Sequence, residues 1–291
     1  MKEMNREEIE KVAEMVAEKA SEKLGLETVV RTIDKVDRKL TGITVLNGKE
    51  ICCSPTFYID EYAPKIAEKL VTVEDVAEKM SHFYREKFSE DDVLNVYSMI
   101  NNFDSIKEFL SLRIVNKTFN PEYLTDVPYI PYLDDFAIIL GIDITLLHGN
   151  AFVKVTKHLL DLWGKEFAEV KAIAEMNDRK LPIQKIGMSD IIPCEEDMFF
   201  EVNNGRGNGA IIAYLFEDEL KKLAKEHGGL YVSFSSIDTL MIFPNDRIPC
   251  GDKEIILKEL TEVVLQTNDE MPENLLGTKA YYFDPEHGFE F

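Results

Sequence analysis

The chain's patterning predicts an α+β fold: antiparallel hairpins with flanking helices, closed by a C-terminal β-α-β unit packed on a mixed N-terminal part. Three observations point there. Apolar residues from Ile9 to Ala20 recur at helical spacing. Asn47-Gly48 joins two β-rich runs, and this dipeptide suits a tight hairpin turn because both central residues need positive φ. The last third alternates strand-like, turn and helical segments from Met198 to Phe243.

Taken in order, the elements start with a helix that Asn5 caps, with Glu8 placed to complete a capping box and Gly25 placed to end it. Thr28–Val36 is β-branched and reads as a strand. Gly42–Leu46 and Glu50–Ile59 read as the Asn-Gly hairpin, with Ser54-Pro55 marking an edge because proline donates no ladder bond. Helices are expected over Asp60–Leu70, Thr72–Lys87, Glu90–Ile100 and, briefly, Asp104–Leu110. Leu112–Asn116 is strand-like. Two prolines keep Val127–Tyr132 out of a helix and lead it, extended, into a strand at Asp135–Leu140. Ala151–Val155 is read as that strand's partner across a Gly141–Asn150 connection. Helices follow at Thr156–Trp163 and Lys165–Asp178.

Leu181–Cys194 has two prolines and no clear period, and reads as a soft boundary between an N-terminal part (1–180) and a C-terminal unit (195–291), unless one core runs through it. Within the C-terminal unit, Met198–Asn203 and Ala210–Leu215 read as strands around an Asn/Gly-rich turn. Glu217–Glu226 reads as a helix and Leu230–Phe243 as strand-rich. Helix Lys253–Thr267 and strand Lys279–Phe283 close the chain.

At 45% apolar and 30% charged residues, the composition is that of a globular chain with a sizeable core. No apolar run approaches the ~18–20 residues that cross a bilayer. The polar opening and the absence of CxxC among four cysteines point to a cytoplasmic protein with free thiols. The net charge of −21 is spread over both halves. An even negative surface repels phosphate backbones and anionic lipids, so neither nucleic-acid binding nor membrane association is expected.

Several stretches in order resemble a known family. They are Ser54–Ile59, Asp126-Val127-Pro128-Tyr129 leading to Asp134–Ile138, and His158–Gly164, followed by Asn208-Gly209-Ala210 through Leu215, Ser235-Ser236-Ile237, Glu262–Asn268 and Tyr282-Phe283-Asp284. The chain resembles a bacterial family, common in anaerobic Firmicutes, that is catalogued only as a domain of unknown function. The resemblance implies one shared architecture, a bacterial intracellular setting and no established activity. Similar proteins tend to carry His-Glu after Ser-Ser-Ile, where this chain has Asp238-Thr239. No functional residue is therefore carried over.

The residues themselves suggest several sites, each with a plainer alternative. Gly205-Arg206-Gly207-Asn208-Gly209 invites a phosphate-loop reading, but the spacing is GxGxG and not GxGxxG, and no GK[ST] follows. A hairpin loop is the alternative, with Arg206 a candidate binding residue. Ser235 and Ser236 are candidate nucleophiles with His227 or His158 as base, yet they lack the G-x-S-x-G elbow and serve equally as strand-end serines. Asp134 and Asp135 enter a buried strand, and Asp143 follows at its far end. Paired carboxylates serve as acid and base or hold a cation, but strand neighbours point to opposite faces. Glu169-Val170-Lys171 has nuclease E-x-K spacing but sits on a helix. The five histidines show no HExxH or HxH spacing, so no metal site is written locally, and no cofactor motif is present. Tyr123, Tyr129 and Tyr132 form a proline-stiffened aromatic stretch that suits an interface with another protein or a cover over the chain's own core.

The leading expectation is a cytoplasmic, non-catalytic binding or regulatory protein whose partner is another protein. The alternatives are a hydrolase assembled from Asp135, Ser235, Ser236 and Asp238, or an acidic nucleic-acid mimic.

Overall fold

The computed structural model describes residues 4–35, 38–46, 56–87, 98–146, 149–191, 197–248, 251–270 and 275–290. The Asn47-Gly48 turn, Ser54-Pro55, most of the helix expected over Glu90–Ile100 and all four cysteines lie outside them. The chain divides into two compact units, Met1–Ile106 with Thr145–Asn150, and Lys107–Ile144 with Ala151–Phe291. The soft boundary expected at Leu181–Cys194 falls inside the second unit. Its described part includes the strand Gln184–Gly187, which pairs with Phe200–Asn203.

The first unit opens with α1 (Arg6–Leu24), which carries the full capping box between Asn5 and Glu8 and ends at Gly25 with φ of 67°. Left-handed backbone at that position is free of steric cost only for glycine. The helix buries Ala13, Val16, Ala17 and Ala20. Small residues on this face bring the helix close to the sheet, where Thr28 Oγ1 donates to the Ala17 carbonyl at 2.9 Å. Strands β1 (Glu27–Lys35), β2 (Arg38–Leu46) and β3 (Thr56–Tyr58) form an antiparallel sheet with β2 central. The hairpin β1–β2, missed in the sequence reading, is longer than the pairing of β2 with β3. Short α2 (Ala63–Ala67) follows, then α3 (Val73–Lys87), whose first turn Thr72 and Asp75 cap reciprocally. Val76 and Met80 of α3 join Val16, Ile43, Val45 and Ile59 in one apolar core. Lys23 bridges Glu74 and Glu78 at 2.7 and 2.8 Å, tying α1 to α3. Helix α4 (Phe103–Ile106) closes the unit.

The second unit holds two sheets. In the first, β4 (Leu110–Asn116) and β5 (Tyr129–Tyr132) flank β6 (Phe136–Leu146), which also pairs with β7 (Gly149–Lys154). Strand β6 runs through most of what was expected to be a Gly141–Asn150 connection. Helices α5 (Lys157–Trp163) and α6 (Phe167–Asp178) follow, separated by Gly164 at φ of 62°. The second sheet has the order β13-β12-β10-β11-β9-β8, with all neighbours antiparallel. It comprises β8 (Gln184–Gly187), β9 (Phe200–Asn203), β10 (Leu230–Ser233), β11 (Leu240–Pro244), β12 (Ala280–Asp284) and β13 (Gly288–Glu290). Its helices are short α7 (Met188–Ile191) and α8 (Ile212–Leu215), then α9 (Glu217–His227) and α10 (Lys253–Glu270). The expected β-α-β succession exists in chain order as β9, α9, β10, but β11 lies between the two strands in space.

Ala210–Leu215, expected as a strand, is a turn leading into α8. Its apolar residues are all buried save Tyr214, and a continuous buried run carries no period that separates strand from helix. An aromatic cluster fills this unit's core. Phe234 packs on Phe136 at 5.2 Å and edge-on to Tyr281 at 5.6 Å, and Phe289 meets Phe283 at 4.8 Å between ring centres.

Candidate functional site

The chemistry of the second unit concentrates at the free edge of β4. Strand β4 is apolar except for Ser111, Arg113 and Asn116, and its edge leaves backbone groups that must find partners. Side chains supply them. Asp178, the last residue of α6, accepts the Leu112 N–H at 2.7 Å and the Ser111 hydroxyl at 2.8 Å. The Asn208 amide donates to the Leu112 carbonyl, and Asn177 donates to the Leu110 carbonyl at 3.0 Å. Asp178 and Asn208 together complete the edge around Leu112 as a neighbouring strand would.

The loop that delivers Asn208 is held at both ends. The Gly205 and Arg206 amides donate to the Asn203 and Asn204 side chains at 3.0 and 3.1 Å. The Gly209 and Ala210 amides donate to the carbonyls of Asp238 and Ile237 at 2.8 and 3.1 Å. A Cβ on Gly209 would stand 2.5 Å from the Asp238 carbonyl oxygen, so the close approach demands glycine. The loop is thus fixed by its flanking residues and not the free hairpin loop expected. It does precede a helix, but α8 has only four residues and its N-cap makes no side-chain bond.

Register places the charged groups. Ser111 and Arg113 sit opposite Gly141 and Ile139, and the alternation of β6 puts Asp143 on the same face as Gly141. The Phe152 ring covers Gly141, and the Arg113 guanidinium lies 3.7 Å from its centre. Burial pulls the Arg113 guanidinium below its ordinary range, while Tyr123, Asp143 and Asp238 oppose that shift. The Arg113 Nε is buried without a hydrogen-bond partner, and so is the Asn208 Oδ1. Asp143, with its side chain 14% exposed, lies 3.9 Å from the half-exposed guanidinium of Arg206. Burial pushes Asp178 up to about 6. The bonds from Leu112 and Ser111 oppose this, the Asp143 charge adds to it, and Arg206 counters it. Asp143 therefore acts on Arg113, Asp178 and Arg206 alike.

Beside this network opens a cleft of about 290 Å³, lined by Glu108, Leu110, Asn177, Asp178, Lys180, Leu181 and Arg206. It carries two carboxylates, two cations and two leucines. Opposed charges dominate its walls, since Leu110 is 1% exposed and offers almost no surface.

Of the residues singled out from sequence, Arg206 lines this cleft and Asp238 faces its loop, with one carboxylate oxygen 3.1 Å from where a Gly207 Cβ would stand. The others go elsewhere. Asp134 and Asp135 do not part to opposite faces. They sit at the β5–β6 turn, where Leu133 takes φ of 46°, and Lys279 reaches them at 3.4 and 3.8 Å. Asp135 also accepts from the Tyr281 hydroxyl at 3.5 Å. Ser236 Oγ accepts from the Asp238 amide at 3.2 Å, a local turn, and the Ser235 carbonyl accepts from Leu276 N–H at 3.1 Å. His227 pairs with Asp246 at 2.8 Å and His158 is exposed on α5. Tyr132 is packed against Tyr214, Phe234 and Phe289, and burial drives its phenol upward. Tyr123 is 8% exposed and burial pushes it to about 12. Of the three tyrosines only Tyr129 is exposed. Glu169 and Lys171 lie on α6. Among the described residues no group of three His, Cys, Asp or Glu is placed to hold a metal ion, and no helix is long and apolar enough to cross a membrane.

Sequence reading missed Asp178, Arg113 and Asn208. Two signals pointed to Asp178 and Arg113. An acidic residue closing a helix opposes the helix dipole, and α6 has no basic residue in its last turn to compensate Asp178. Arg113 is the one charge inside an otherwise apolar strand.

The chain belongs to DUF5688, a family of unknown function whose model matches residues 6–285. No curated protein and no solved structure matches it.

Proposed function

We propose that this member of DUF5688 is a non-catalytic binding protein of the bacterial cytoplasm that holds a small polar molecule in the Asp178–Arg206 cleft. The observation that carries this reading is the company Asp178 keeps. The buried carboxylate of Asp178 and the half-exposed Arg206 line one cleft, held there by the strand edge and the anchored loop. Sites of this kind fix a ligand by a few placed polar groups on a rigid frame. The acids and bases line the cleft in equal number, which suits recognition. The Ser236 hydroxyl, one of the two considered as nucleophiles, accepts from the Asp238 amide in a local turn.

The test is equilibrium dialysis of the purified full chain against a mixture of small metabolites, read by mass spectrometry, beside the Arg206→Gln variant. Enrichment of a compound by the wild type that the variant loses supports the reading. Steady consumption of a compound with appearance of a product would instead establish an enzyme. No enrichment at all removes the small-molecule reading and returns the protein to the search for a protein partner.

A further inference from the structure

We draw no further inference here: the strongest candidate, the outer edge of strand β1 in the first unit's sheet, pairs with no strand among the described residues, and nothing in the structure shows what covers it.

Discussion

Asp178→Asn separates the stability that Asp178 gives β4 from the cost of its charge. The carboxyl is 4% exposed and pushed from an ordinary 3.8 up to about 6, chiefly by burial. Its folded pKa is therefore above its unfolded one. Between those values the folded chain holds a proton that the unfolded chain has released, so stability falls as pH rises from about 4 through about 6, then levels. At about 1.4 kcal/mol per pH unit, the fall due to this one group is on the order of 3 kcal/mol. Asparagine keeps an acceptor for Leu112 N–H and offers a donor to the Ser111 hydroxyl, yet never ionises. The variant should match the wild type near pH 4 and exceed it above pH 6.5 by a margin of that order. Urea unfolding followed by fluorescence suits the test, because Trp163 is the chain's single tryptophan and lies in the second unit, as Asp178 does. The many other carboxylates titrate in both proteins and cancel in the difference. A wild-type-minus-variant difference that stays flat from pH 4 to 7.5 would refute the reasoning.

Tyr132→Ala should cost about 3–5 kcal/mol in the same assay, as aromatic deletion from a packed core does, while Tyr129→Ala should stay within about 0.5 kcal/mol. Equal effects would restore the interface reading of that stretch. Gly141→Ala places a Cβ 2.0 Å from the Phe152 ring and should destabilise by about 1–3 kcal/mol. An unchanged urea midpoint would mean that Phe152 does not sit on Gly141 or swings away at no cost. In the first unit, Asn5→Ala removes a bond to the Glu8 amide at 3.0 Å and should cost about 1 kcal/mol, read by circular dichroism on heating.

The legible parts of this fold are those whose signals are local. The capping box of α1 needs only Asn5 and Glu8, and the glycines at positions 25 and 164 stop helices by their own backbone freedom. Amphipathic α3 and the apolar stretch of β6 likewise declare themselves within a dozen residues. What stayed hidden depends on neighbours remote in sequence. Ala210–Leu215 is buried except at Tyr214, so its pattern has almost no polar phase to read. The partition near residue 106 follows from pairings such as β4 with β6 and not from linker composition. The cleft is more remote still, since Asp178 meets Leu112 across 66 positions and Asn208 meets it across 96.

Adjacent groups are held locally: Asp134 and Asp135 share Lys279, and the Ser236 hydroxyl accepts from the Asp238 amide. The charges gathered from distant segments behave differently. Arg113, Asp143, Asp178 and Arg206 come from two strands, a helix end and a loop, and Asp143 acts on the other three. Isolated buried charges are costly, so a group assembled from four segments persists only when the fold as a whole holds it in place. The strand edge does so, because Asp178, which with Asn208 closes β4 at Leu112, is also a lining residue of the cleft. Asp178 thus completes the strand edge and lines the cleft at once. Asp178→Asn therefore tests the edge through the pH dependence of stability, and Arg206→Gln tests the proposed cleft with the edge left whole.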